Sequence, residues 1–176
     1  MFYKQYKNFL SKNDKQFIEN IILDKMFPFY HYPHSCIDDN KSFLAHVVLR
    51  RPEDRKKGEK YNSDFAQPIL NILYSFFKKA KIKPKELLRI AINYTYPNGQ
   101  EKCDLHIDHD DIAYKQVIIY LNDCLDKESK TVILDKNKVI KSVLPEKYKA
   151  IIFGNNPHYH YYPKVGFRIV LICTYI

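Results

Sequence analysis

The stretch CDLHIDHDD (residues 103–111) crowds two histidines among several aspartates, none of which a hydrophobic core would require. It contains two His-x-Asp triplets, His106-Ile107-Asp108 and His109-Asp110-Asp111. Residues i and i+2 of a β-strand point to the same face, so either triplet can aim an imidazole and a carboxylate at one point. Joined by a second histidine from elsewhere, that pair makes the facial triad that binds non-haem Fe(II) and leaves three coordination positions open. The chain holds seven histidines, so a triplet by itself is weak evidence and its surroundings must decide.

Those surroundings include FGNNPHYHYYPKVGFRIVLICTY, residues 153–175. His158 and His160 share a face if residues 158–162 form a strand, and either can supply the distal imidazole. Arg168 lies inside the apolar run VGFRIVLICTY. A guanidinium is costly to bury without an anion, and one that faces a pocket can clamp a carboxylate through two parallel hydrogen bonds.

The elements that must position these groups follow from patterning. Ser11 or Asn13 caps a predicted helix through DKQFIENIILDKM, with Phe17, Ile21, Ile22 and the stem of Lys25 on one side. Pro28 and Pro33 keep MFPFYHYPHSC from being helical, and FLAHVVLR (43–50) reads as a strand. A second helix is predicted from Pro68, with Ile69, Leu70, Leu73, Phe76 and Phe77 as its apolar stripe. After Pro84 come eight short β-type runs, at 87–96, 104–108, 115–122, 130–135, 138–143, 149–154, 158–162 and 167–175, with a tight turn at Asp135–Lys138. Eight such strands argue for a sandwich or closed barrel with the helices on one outer face, an α+β, mainly β architecture. A single domain over residues 1–176 is expected, with 1–86 as a helical and irregular support and 87–176 as the β core.

Composition narrows the classes. At 45% hydrophobic the chain is globular rather than disordered. It has no apolar run long enough to cross a membrane and no signal-peptide core, so a soluble cytoplasmic protein without a membrane partner is expected. Cys36, Cys103, Cys124 and Cys173 form no Cys-x-x-Cys pair and read as reduced thiols, which leaves a zinc ribbon without support. The net charge of +9 raises nucleic-acid binding, but the lysines are scattered and the densest run, RRPEDRKKGEK (50–60), carries acids too. His31, His34 and His46 have no partners at metal spacing and read as surface or packed residues.

The string YPNGQEKCDLHIDHDD…QVIIYLND…AIIFGNNPH…GFR resembles the Fe(II)- and 2-oxoglutarate-dependent dioxygenases, above all the prolyl-hydroxylase branch and small phage and microbial oxygenases. The resemblance covers roughly residues 87–176. It implies a double-stranded β-helix, the cupin-like jelly roll, with supporting N-terminal helices. It implies His106, Asp108 and His158 as metal ligands and catalytic centre, with His160 as the alternative distal ligand. By the same resemblance Arg168 and Tyr120 hold the far carboxylate of 2-oxoglutarate, Tyr96 lines the cosubstrate pocket, and Thr131 is a further pocket residue. The interval to the Tyr-Leu-Asn element favours the first triplet, and makes His109, Asp110 and Asp111 loop residues at the rim. The loop DCLDKESKT lacks the Gly-Gly pair of many members. The implied activity is hydroxylation of a substrate coupled to decarboxylation of 2-oxoglutarate to succinate and CO2, with Fe(2+) and O2 and with ascorbate as a candidate reductant. The resemblance does not name the substrate, whether protein, nucleic acid or small molecule, or the oligomeric state. Tyr30, His31 and Tyr32 are candidates for the entrance. The competing readings are a non-catalytic jelly-roll binding module and a basic nucleic-acid-binding protein.

Overall fold

A computed structural model describes residues 2–34, 40–110 and 113–176; Cys36 and Asp111 lie outside the described residues. The strands are β1 (Tyr3–Tyr6), β2 (Tyr30–Tyr32), β3 (Phe43–Leu49), β4 (Leu87–Thr95), β5 (Lys115–Tyr120), β6 (Thr131–Asp135), β7 (Lys138–Val143), β8 (Ala150–Phe153), β9 (His158–His160) and β10 (Arg168–Tyr175). The α-helices among the described residues are α1 (Lys12–Phe17) and α2 (Ala66–Ala80). Seven strands form a large sheet in the order β1-β8-β5-β10-β4-β3-β2, and β7-β6-β9 form a small one. Every strand pairing is antiparallel. This is a jelly roll, mainly β with supporting helices, as expected.

The first 86 residues do more than support that core, because β1, β2 and β3 extend the large sheet at both edges. Ser11 caps α1 in a full capping box: its hydroxyl accepts from the Asp14 N–H, and the Asp14 side chain accepts from the Ser11 N–H. The helix continues as a π-helical turn over Ile18–Ile22. The wider turn puts Ile18 and Ile22 in the core and leaves Ile21, expected on the apolar side, 38% exposed. In α2 the expected stripe is buried, joined by Ile72.

Both faces of the large sheet are covered, and the alternation of side chains divides their work. Ile90 and Ile92 of β4, Val117 and Ile119 of β5, and Ile169, Leu171 and Cys173 of β10 pack with α2 in the main core. The opposite parity faces the small sheet, where Ile118, Tyr120, Ile151, Phe153 and Val170 meet Ile133 and Val143. β6 and β7 are joined by the expected tight turn, with Lys136 and Asn137 both at positive φ (46° and 64°) as a type I′ hairpin requires. Cys103, Cys124 and Cys173 are free and buried. Among the described residues no helix is long and apolar enough to cross a membrane.

His46 on β3 is a packed histidine. Its Nδ1–H donates to the Pro28 carbonyl (2.8 Å) and its Nε2 accepts from the Ser63 hydroxyl (2.7 Å), fastening β3 to the approach to α2. Burial lowers its pKa despite the bond to the Pro28 carbonyl. The unfolded imidazole titrates at about 6.5, so below that pH the unfolded chain binds more protons than the folded one. Stability held above that value should therefore be lost as the pH falls toward the depressed folded value. Urea midpoints measured between about pH 7.5 and pH 5 should decline, and His46→Gln should shallow that decline.

Candidate functional site

His106 and His158 meet across an isolated antiparallel bridge. The His106 N–H donates to the His158 carbonyl (3.1 Å), the His158 N–H donates back (2.9 Å), and the ring centroids stand 4.5 Å apart. The strand expected at 104–108 is not formed. The bridges Lys102↔Tyr161 and His106↔His158 set a four-residue step against a three-residue one, so the extra residue interrupts the ladder as a bulge does. Asp108 arrives by a bend instead, with its N–H donating to the Tyr114 hydroxyl at 2.7 Å.

Both imidazoles are oriented by backbone carbonyls. His106 Nδ1 lies 2.8 Å from the Asp104 carbonyl and His158 Nδ1 lies 3.1 Å from that of Asn156. A carbonyl only accepts, so each Nδ1 carries a proton, which in the neutral ring leaves the lone pair on Nε2, the tautomer a metal needs. Burial lowers the His158 pKa to about 4, against the pull of Asp108, so it is neutral at neutral pH. Burial alone would raise the Asp108 carboxyl; His158, Arg89, His106 and Arg51 outweigh it and hold it below the usual range. Arg89 and Arg51 are the permanent positive charges among these neighbours. Arg51 Nη2 and Arg89 Nη1 stand 3.6 and 3.7 Å from the same Asp108 Oδ1. The other oxygen, Oδ2, is buried, lacks a hydrogen bond, and lies 3.6 Å from His158 Nε2. Among the described residues no three His, Cys, Asp or Glu side chains already stand at metal-holding positions. The donor chemistry still fits a cation: two oriented imidazoles, that of His158 neutral, and an ionised carboxylate with an orphaned oxygen face one cavity of about 80 Å³.

The far end of that cavity is lined by Arg168 and Thr131. Arg168, only 3% exposed, opens β10 on the parity that faces the small sheet. Its Nη2–H donates to Thr131 Oγ1 (2.9 Å), which also accepts from the Tyr120 hydroxyl (2.8 Å). The guanidinium lies 5.4 Å from the Tyr120 ring centroid. Its Nε–H is buried without an acceptor, and among the described residues no carboxylate pairs with it. A buried guanidinium in that state calls for an anionic ligand.

The structure thus brings His106, Asp108 and His158 to one end of the cavity and Arg168 and Thr131 to the other, with Tyr120 behind Thr131. It does not bring Tyr96 there. Tyr96 follows Tyr94 in the register that faces away; its hydroxyl meets Ser42 Oγ at 3.3 Å and its ring packs on Tyr94. His160 does line the cavity, but Cys103 Sγ stands 3.1 Å from its Nδ1 and its Nε2 is buried without a partner. It pairs in register with Thr131, two residues farther than His158 from His106. His109, expected in a solvated rim, is buried: its Nε2 meets Thr174 Oγ1 at 2.8 Å and its ring packs on Tyr114. That contact holds His109 outside the cavity lining. Asp110 is exposed. Gln116, whose amide lies 3.2 Å from His158 Nε2, was missed from sequence, as were Arg51, Arg89 and Asn93, which also line the cavity. Alternation would have exposed three of them, since Arg89, Asn93 and Gln116 share the inward parity of their strands with Arg168 of β10.

No protein-family model matches the sequence, and no match is found among curated proteins. Solved structures do match. An oxidoreductase of the 2OG-Fe(II) oxygenase family from Burkholderia pseudomallei aligns at TM-score 0.73 and 15% identity, covering 98% of this chain and 84% of that one. A Pseudomonas putida prolyl-4-hydroxylase aligns at TM-score 0.65 and 12% identity over 98% of this chain and 91% of that one. The viral collagen prolyl hydroxylase of Paramecium Bursaria Chlorella virus-1 aligns at TM-score 0.60 and 16% identity over 99% and 95%. The chain therefore has the fold of the 2-oxoglutarate- and iron-dependent oxygenases.

Thr131 is the keystone of the Arg168 end. Thr131→Val keeps the shape but strips the acceptor from a buried guanidinium and a buried phenol. Chemical denaturation should show a loss of about 1–3 kcal/mol.

Proposed function

We propose that the protein is an Fe(II)- and 2-oxoglutarate-dependent dioxygenase that hydroxylates its substrate. One observation carries this reading: a single cavity has two oriented imidazoles and an ionised carboxylate at one end and, at the other, a buried guanidinium without a carboxylate partner among the described residues. His106, Asp108 and His158 would hold the metal. Arg168 would take the far carboxylate of 2-oxoglutarate, with the Thr131 and Tyr120 hydroxyls fixing its position. When bound there, iron with 2-oxoglutarate and dioxygen supplies the oxidative chemistry that yields succinate, CO2 and a hydroxylated substrate.

The chain's own share is geometry and exclusion of water. The carbonyls of Asp104 and Asn156 keep the imidazole lone pairs directed, and the Gln116 amide that now meets His158 Nε2 at 3.2 Å would yield that lone pair to the metal. Arg51 and Arg89 keep Asp108 ionised in a buried place. Phe153 packs edge-on against His158 (5.2 Å between centroids) and helps keep that wall dry. The buried free thiols suit a reducing cytoplasm, and ascorbate would serve as a reductant for the iron.

Purified protein supplied with Fe(II) and 2-oxoglutarate should form succinate, and His106→Ala or His158→Ala should abolish it. Arg168→Met removes charge-assisted hydrogen bonds of about 1.5–3 kcal/mol, so the KM for 2-oxoglutarate should rise roughly 10- to 150-fold. Iron-dependent turnover that survives His106→Ala contradicts the assignment.

A further inference from the structure

A second cavity, of about 540 Å³, adjoins the first and shares Phe43, Arg51 and Arg89 with it. Tyr32, Arg50 and Asp54 complete the wall that matters here. The three arginines differ in how they are satisfied. Arg50 is accounted for by Glu59 (3.3 Å) and by the side-chain oxygen of Asn62 (2.9 Å). Arg51 and Arg89 share one oxygen, Asp108 Oδ1, at 3.6 and 3.7 Å, beyond ordinary hydrogen-bond reach. Among the described residues that oxygen is their only ion-pair partner. The Arg89 side chain is only 16% exposed. Each guanidinium carries five N–H donors in a fork suited to an oxyanion, so a single carboxylate oxygen leaves most of them unused. On the reading above, that same carboxylate is also required by the metal.

We propose that Arg51 and Arg89 form a second anion-binding point, and that the substrate is a small molecule bearing a carboxylate or phosphate, which this pair clamps beside His106, Asp108 and His158. The inference rests on the proposed dioxygenase reading for the identity of the bound molecule as substrate. The cavity volume lies within the range of small-molecule sites. Phe43 and Tyr32, which stack on each other at 5.5 Å, give it an apolar wall for the body of the ligand. The anion end lies where the two cavities join, so a carbon held a few atoms from the acid group comes to rest near the metal-capable cluster. The pair selects acids by charge and fork geometry, and neutral analogues lack the partner that desolvates the guanidinium groups at low cost.

Two titrations separate this inference from the one beneath it. Binding of Zn(II), an inert stand-in, to the wild-type chain and to Asp108→Asn tests the metal reading alone. Nuclear magnetic resonance titrations of the Zn(II)- and 2-oxoglutarate-loaded protein with benzoate, phenyl phosphate, benzamide and a 12-nucleotide single-stranded DNA then test the anion point. Benzoate or phenyl phosphate should bind at least about tenfold more tightly than benzamide, and the tighter acid tells carboxylate from phosphate. Arg89→Met and Arg51→Gln should each weaken the acid at least about tenfold, whereas Arg50→Gln should change it less than about threefold. Arg51 is 34% exposed, so its variant serves even if Arg89→Met fails to fold. Equal binding of benzamide, acid binding that survives both variants, or DNA binding through these arginines more tightly than either acid would overturn the proposal. The acid titrations are repeated on the metal-free protein, where acid binding through Arg51 and Arg89 together with no Zn(II) binding in the first titration would support the anion point while removing the dioxygenase reading.

Discussion

The site depends on one buried negative charge. Asp108 is 5% exposed, yet His158, Arg89, His106 and Arg51 together outweigh burial and hold its carboxyl below the usual range. A carboxylate so placed would otherwise take up a proton and lose both its charge and its value as a ligand. Its neighbours are set by what the carboxylate demands. The bend that carries it is pinned by Tyr114, the His158 ring faces its second oxygen, and Arg89 of β4 reaches it from the large sheet. A buried ion pair of this kind contributes little net stability, because desolvation offsets the attraction. Its persistence is better understood as an arrangement for binding.

The rest of the architecture separates that charge cluster from the hydrophobic work of folding. The strands of the large sheet give one parity to the helices, where Ile90, Ile92, Ile119 and Leu171 bury their side chains. The other parity is shared between a small apolar cluster and the polar cavity. Arg89, Asn93, Gln116 and Arg168 are therefore tolerated inside β-strands that otherwise read as continuous apolar runs. Arginines flank the cavity at both ends, one without a carboxylate partner and two sharing a single oxygen.

Much of this was legible in the residues. The apolar stripe of α2 and the turn at Lys136-Asn137 follow from periodicity and turn chemistry alone. Arg168 stood out because a guanidinium in an apolar strand needs a reason, and it is buried in the cavity wall against Thr131 and Tyr120. The rest depends on register, which a single sequence does not display. The pairing of His106 with His158 across a bulged ladder could not be read from 104–108, whose alternation suggested a regular strand. Tyr96 has the right type and neighbours but the wrong parity. His109 looked like a loop residue because its partner, Thr174, lies 65 positions away. The edge strand β1 was missed because YKQY offers no buried face of its own and forms only by pairing with β8.

Diffraction from crystals grown with Mn(II) and 2-oxoglutarate under anaerobic conditions tests the central claim most directly. The account predicts an anomalous scattering peak bound by His106 Nε2, the Asp108 carboxylate and His158 Nε2, with the far carboxylate of 2-oxoglutarate on Arg168 and Thr131. A metal held by His109 or His160 instead, or a cosubstrate that leaves Arg168 without an anion, would contradict it.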